Sequence, residues 1–114
     1  MADAMTIDLN LALLLATGAA LCAGCLIPNR YLPPLPNDKL LHFAGFGILA
    51  ALALRMAHDA RDGAAWLLGV FAVGVLIECL QMLVPDRGFC WRDIGANTAG
   101  IVFAGLCAHL YGVF

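Results

Sequence analysis

The fold of this chain is decided by one stretch, IECLQ at residues 77–81. It places an ionisable carboxyl group, Glu78, inside an apolar run that extends from residue 64 to residue 84. Inserting such a group into a membrane costs about 2.5–3.5 kcal/mol, so the residue is expected to have a compensating role. Beyond the run, Asp93 and Asn97 open a second apolar segment. They are four residues apart and therefore lie on one face of any helix that forms there.

The composition places the chain outside the class of soluble globular proteins. Of its 114 residues, 63% are hydrophobic and 12% are charged, and the mean hydropathy is +0.91. Soluble domains average about 45–50% apolar and about 25% charged residues. The sequence therefore predicts a small membrane protein with a single domain over residues 1–114. A net charge of −2 with six basic residues argues against nucleic acid as a partner.

The apolar runs predict an all-α fold, an integral membrane four-helix bundle. The four predicted spans cover residues 9–27, 38–56, 64–84 and 93–113. Pro28 and Pro85 end the first and third spans, and the proline-rich segment 30–36 is not expected to be helical. The sequence predicts a cap for the second helix at Asn37 or Asp38. Gly63 is expected to precede the third helix, and Asp93 to lie at or near the N-cap of the fourth.

Four spans bring polar groups from three helices to one membrane face. Four helix ends emerge on that face: the end of the first helix, the start of the second, the end of the third and the start of the fourth. At about 1.5 Å per residue, His42, Glu78 and Asn97 lie about 5–10 Å below the interface. Gln81 lies one turn nearer the surface than Glu78. The expected rim of this layer consists of Asp38, Lys39, Arg87 and Asp93.

These residues resemble those of the VanZ-like membrane proteins. The matching segments are DKLLHFAGF at 38–46, IECLQ at 77–81, and the residues from 87 through 91–93 to Asn97 and Gly100. The resemblance covers roughly residues 37–114 and keeps the order and spacing of the motifs. Two positions depart from the pattern: Cys90 replaces an acidic or small polar residue, and Arg92 an apolar one. The characteristic polar positions of the family fall on Lys39, His42, Glu78, Gln81, Arg87, Asp93 and Asn97.

The resemblance implies a multi-pass protein of the bacterial cytoplasmic membrane. The family takes its name from a protein associated with resistance to teicoplanin, which suggests a link to the cell envelope and to antibiotic resistance. It implies no established activity, so whether the chain is an enzyme stays open. No cofactor and no metal ion are expected, and the sequence does not indicate an oligomeric state.

Three functions are compatible with the polar residues. The first is a pocket for a membrane lipid headgroup or an envelope precursor, in which Lys39 and Arg87 bind phosphate. The second is a structural or accessory protein whose polar layer only holds the bundle together. The third is a membrane-embedded hydrolase that uses His42 with Glu78 or Asp93, although the chain contains no serine nucleophile. In each case Glu78 is expected to pair with Arg87, Lys39 or His42, or to be protonated.

The distribution of basic residues does not by itself determine the orientation of the protein in the membrane. Four of them flank the motif face and two flank the opposite face, which by itself predicts a cytoplasmic motif. If Lys39 and Arg87 are present for function, they are left out of the count of basic residues. Two basic residues then remain on each face. The family resemblance then favours a motif that faces outward.

Overall fold

Four α-helices form the chain in the computed structural model, which describes residues 4–33 and 38–112. Helix α1 covers Ala4–Leu26, α2 covers Asp38–Leu54, α3 covers Ala60–Gln81 and α4 covers Trp91–Leu110. A single 3₁₀ turn, Asn29–Tyr31, follows α1. The described residues contain no β-strand. The prediction of an all-α fold with four helices is confirmed.

Two helix starts differ from the prediction. Helix α3 begins at Ala60, because the Asp59 side chain accepts a hydrogen bond of 2.7 Å from the backbone N–H of Asp62. Gly63 therefore lies inside α3 and does not break it. Helix α4 begins at Trp91 with Cys90 as its N-cap, so Asp93 lies in the first turn, near the N-cap as predicted.

The remaining boundaries shift by a few residues. Helix α3 ends at Gln81 instead of residue 84, because the next three residues continue only as turns with hydrogen bonds between residues three apart. The expectation that segment 30–36 contains no helix was wrong for its start, where Asn29–Tyr31 forms the 3₁₀ turn. Asp38 is the first residue of α2, and Asn37 lies outside the described residues.

Helix α2 is the centre of the bundle. It packs against each of the other helices and most extensively against α4, whereas α1 contacts only α2 and α3. The α2–α4 pair approaches through two glycines, Gly47 and Gly100, without intervening side chains. Small residues at a helix crossing allow such close backbone contact in membrane bundles. The core side chains around α2 are Leu49, Phe46, Ala50, Ala53, Val70, Ile77 and Ile101.

The outer surface of the bundle is apolar. Large hydrophobic side chains are exposed on all four helices, for example Leu15, Ile48, Leu76 and Phe103. Helices α1 and α3, with 23 and 22 residues, are long and apolar enough to cross a membrane. Among the described helices, α2 and α4 do not meet that criterion, so the four-span topology stays a prediction for them. An apolar surface of this extent suits a lipid environment.

Contacts between loops and helix ends define one polar end of the bundle. We use "polar end" for the region where α1 and α3 end and α2 and α4 begin. There the Asn29 side chain donates a hydrogen bond of 2.8 Å to the Asp86 carbonyl. Lys39 at the start of α2 contacts Asp93 at the start of α4. The polar end therefore joins residues that are far apart in sequence.

Candidate functional site

Most of the buried polar side chains lie at the polar end. Only Asn10 lies elsewhere among the six polar residues that are buried in the described chain. The five at the polar end are Gln81, His42, Glu78, Asp93 and Asn97. Because burying a polar group without a partner costs free energy, the hydrogen bonds of these residues identify what the layer does.

Four side chains from α2 and α4 form a charged network, which we define as Lys39, His42, Asp93 and Asn97. Lys39 Nζ lies 2.5 Å from Asp93 Oδ1. His42 Nδ1 donates a hydrogen bond of 2.8 Å to Asn97 Oδ1, and His42 Nε2 lies 3.6 Å from Asp93 Oδ2. Lys39 Nζ also lies 3.0 Å from a carboxylate oxygen of exposed Asp38. The network therefore runs from the surface inward along the α2–α4 interface.

Helical spacing and close packing create this network. Lys39 and His42 are three residues apart on α2, and Asp93 and Asn97 are four apart on α4, so each pair lies on one helix face. The crossing at Gly100 brings those two faces together.

Helix α3 leaves space for the deepest member of the network. A Cβ atom on Gly74 would lie 3.2 Å from Asn97 Nδ2, so the absence of a side chain there makes room for the Asn97 amide. Asn97 is 2% exposed, and its Nδ2 has no hydrogen-bond partner in the described part of the chain.

Glu78 is fully buried beside the charged network. Its Oε2 accepts a hydrogen bond of 3.1 Å from the backbone N–H of Cys90, which ties the α3–α4 loop to α3. Its carboxyl group interacts with Asp93 and His42, while Oε1 has no hydrogen-bond partner among the described residues. No ion pair joins Glu78 to Arg87 or Lys39 in residues 4–33 and 38–112. The backbone N–H of Cys90 is therefore a donor to the Glu78 carboxyl group.

Arg87 and Gln81 bind the end of α1 instead. Arg87 donates from Nε to the Ile27 carbonyl at 3.0 Å and from Nη2 to the Gly24 carbonyl at 2.8 Å. Gln81 Nε2 donates to the Cys25 carbonyl at 2.7 Å. The last carbonyls of a helix have no intrahelical donor and carry partial negative charge, which a guanidinium stabilises. These two side chains hold α1 against the rest of the bundle.

A half-open cavity of about 440 Å³ lies at the polar end, between the end of α1 and the start of α2. Its polar lining consists of Asn29, Asp38, His42 and Arg87. Its apolar lining includes Leu21, Leu32, Leu41, Ala20 and Pro33. Of the seven positions that the sequence singled out, His42 and Arg87 line this cavity. The other five are not among its lining residues.

The α1 carbonyls and Asn29 were not predicted to be parts of the site. A signal for the carbonyls was present, because Pro28 ends α1 and leaves its last carbonyls without donors. Nothing in the sequence indicated which side chains would supply those donors. The position of Asn29 in the cavity depends on the 3₁₀ turn, which was not predicted.

The arrangement allows cation binding more readily than nucleophilic catalysis. One ligand atom each from Asp38, His42 and Asp93 lies within 4.8 Å of the others. Both ring nitrogens of His42 face partners, so a role as general base would require one of these contacts to open.

A family profile matches nearly the whole chain. The profile of the family described as VanZ/LLP1 matches residues 9–112. No curated protein and no solved structure matches the chain.

Proposed function

Because the chain belongs to the VanZ/LLP1 family of membrane proteins, we propose that it binds a phosphate-bearing headgroup at its polar end. The ligand is either a membrane lipid or a lipid-linked envelope precursor. In this proposal the protein crosses the bacterial cytoplasmic membrane with four helices, and the cavity between α1 and α2 holds the headgroup.

The observation that carries the proposal is the position of Arg87 in the cavity wall. Its Nε and Nη2 bind the α1 carbonyls, and no described residue accepts a hydrogen bond from Nη1. The guanidinium is therefore held in place with donor capacity to spare. Arginine binds phosphate oxygens through several parallel N–H donors, which suits it to this ligand class.

The remaining cavity lining fits an amphipathic ligand. His42, Asp38 and Asn29 supply polar groups for a headgroup, whereas Leu21 and Leu41 supply an apolar wall for the adjoining part of a lipid. Binding sites for small molecules commonly combine apolar walls with a few placed polar groups. The mixed lining thus favours a lipid over a fully water-soluble anion.

Aromatic side chains support a location at headgroup depth. Tyr31 and Trp91 are exposed at the polar end, and the Arg30 guanidinium lies 4.9 Å from the centroid of the Tyr31 ring. Tyrosine and tryptophan are enriched at the boundary between the hydrocarbon core and the headgroups. This boundary is where the cavity needs to lie if it is to receive a headgroup.

The test compares two arginines at the same end. The full chain is reconstituted in nanodiscs, and retention of phosphatidylglycerol, phosphatidylethanolamine and undecaprenyl phosphate is measured by native mass spectrometry. We expect Arg87→Gln to weaken retention of at least one of these lipids about tenfold, which corresponds to about 1.4 kcal/mol. Arg92→Gln is the matched control, because Arg92 is exposed and does not line the cavity. Equal retention by both variants and the unmodified chain would contradict the proposal.

A structural role is the second candidate, and the charged network favours it. Lys39, Asp93, His42 and Asn97 satisfy much of one another's hydrogen bonding without a ligand. In that case Arg87→Gln would lower stability by loosening α1 and would leave lipid retention unchanged. Thermal unfolding measured beside lipid retention separates the two functions.

The proposed link to glycopeptide resistance is tested in cells. If the bound ligand is an envelope precursor, expression of the chain in a teicoplanin-sensitive Gram-positive host should raise the inhibitory concentration of teicoplanin. Arg87→Gln should abolish that rise while Arg92→Gln retains it. Equal inhibitory concentrations with and without the protein would contradict the link.

A further inference from the structure

We propose that Asp38, His42 and Asp93 form a binding site for one divalent transition-metal ion, manganese or zinc. The site does not involve Arg87, but it shares Asp38 and His42 with the lining of the cavity that we propose to hold the headgroup. A mixed set of carboxylate and imidazole ligands suits these ions.

The ligand atoms are close enough for small side-chain movements to bring them around a single ion. The three ligand atoms lie within 4.8 Å of one another, and His42 Nε2 lies 3.6 Å from Asp93 Oδ2. Two ligands that are each about 2.1 Å from a tetrahedral ion lie about 3.4 Å apart. A hydrogen bond between the same atoms would be nearer 2.9 Å. The observed separation of 3.6 Å is longer than a hydrogen bond and close to the spacing of two ligands of one ion.

The hydrogen bond of His42 to Asn97 prepares the ring to bind a metal. Asn97 Oδ1 only accepts, so His42 Nδ1 carries a proton, and Nε2, which faces Asp93, is the ring nitrogen that can bind a metal. Histidine ligands commonly donate their second N–H to an oxygen in this way, which fixes the tautomer.

Glu78 provides a second, separate indication of a cation site. It is 0% exposed, its carboxyl group interacts with Asp93 and His42, and Oε1 has no partner among the described residues. A buried carboxyl oxygen without a donor is costly. A cation bound to Asp93 and His42 would supply positive charge next to it.

Lys39 occupies part of the region that the ion would take. Its ammonium lies against both Asp93 and Asp38, so it is the competing cation when no metal is bound. The Lys39 side chain is 37% exposed and can move toward solvent. The ion reaches the site from the cavity, because Asp38 and His42 both line it.

The experiment titrates the full chain in detergent micelles with Mn²⁺ alone, after removal of metals by a chelator. Manganese is the probe because the five free cysteines would bind zinc elsewhere. Unbound Mn²⁺ is counted by electron paramagnetic resonance. We expect one ion per chain, and at least about tenfold weaker binding in His42→Gln and Asp93→Asn. His58→Gln and Asp86→Asn are the matched controls, with the same residue types outside the cluster.

Two further variants keep the test decisive if the ligand variants do not fold. Asn97→Ala leaves all three ligands in place and should weaken Mn²⁺ binding about tenfold by releasing the His42 ring. Lys39→Met removes the competing ammonium and should tighten binding about tenfold.

Two results would overturn the site. The first is Mn²⁺ binding by the unmodified chain no greater than that of His42→Gln. The second is weaker binding in Lys39→Met than in the unmodified chain.

Discussion

Replacing Gly100 by alanine should separate α2 from α4. A Cβ atom at this position would lie 2.9 Å from the backbone nitrogen of Gly47 and 3.1 Å from the carbonyl carbon of Phe43. It would lie closer still to the Phe43 carbonyl oxygen. All three atoms belong to the α2 backbone, so none of them can rotate away. The two helices therefore have to move apart.

The size of the effect follows from these distances. Carbon contacts are comfortable at about 3.5–4.0 Å, so the backbones need to separate by about 1 Å. Overpacking of this kind costs about 1–3 kcal/mol, and a rigid backbone neighbour places Gly100→Ala near about 3 kcal/mol. The same shift would stretch the 2.8 Å contact between His42 and Asn97 beyond hydrogen-bond range, which adds about 1 kcal/mol.

Gly95→Ala is the matched control on the same helix. A Cβ atom on Gly95 would meet nothing within 4 Å, so alanine there should stabilise α4 by about 0.5–1 kcal/mol. Both variants are unfolded thermally and chemically in the same detergent, with circular dichroism as the readout. If Gly100→Ala is as stable as Gly95→Ala, the α2–α4 crossing does not depend on backbone contact and the reasoning is refuted.

Three other predictions test the polar end and the topology. The free energy of unfolding of Glu78→Gln should be within about 1 kcal/mol of that of the unmodified chain, because glutamine still accepts from the Cys90 N–H, whereas Glu78→Leu should lose about 1–3 kcal/mol. Equal stabilities of the two variants in chemical unfolding would show that this hydrogen bond does not contribute. Asn97→Ala should cost about 1–3 kcal/mol because it leaves His42 Nδ1 buried without an acceptor, and an unchanged melting temperature would argue against it. A cysteine at Asp62 in a chain without its native cysteines should react with an impermeant thiol reagent from the cytoplasmic side only, and reaction from outside only would reverse the proposed orientation.

The helices and their succession along the chain were predictable from the sequence. Apolar runs and prolines are local signals, so the existence of four helices and the end of α1 before Pro28 followed from them directly. The errors were at helix starts. The Asp59 cap began α3 earlier than Gly63 indicated, and Cys90 preceded α4 without a side-chain cap. Capping depends on a few hydrogen bonds that composition does not reveal.

The partners of the polar residues were decided by the tertiary structure. Sequence position sets the depth of a residue along a helix, because each residue adds about 1.5 Å. It does not set how each helix is rotated about its axis or which neighbour it meets. The α2–α4 crossing turned His42 toward Asn97 and Asp93. The free carbonyls of α1 bound Arg87, although the sequence equally allowed Arg87 to pair with Glu78. Depth along the chain was thus determined by the sequence, and the choice of partner by helix rotation and packing.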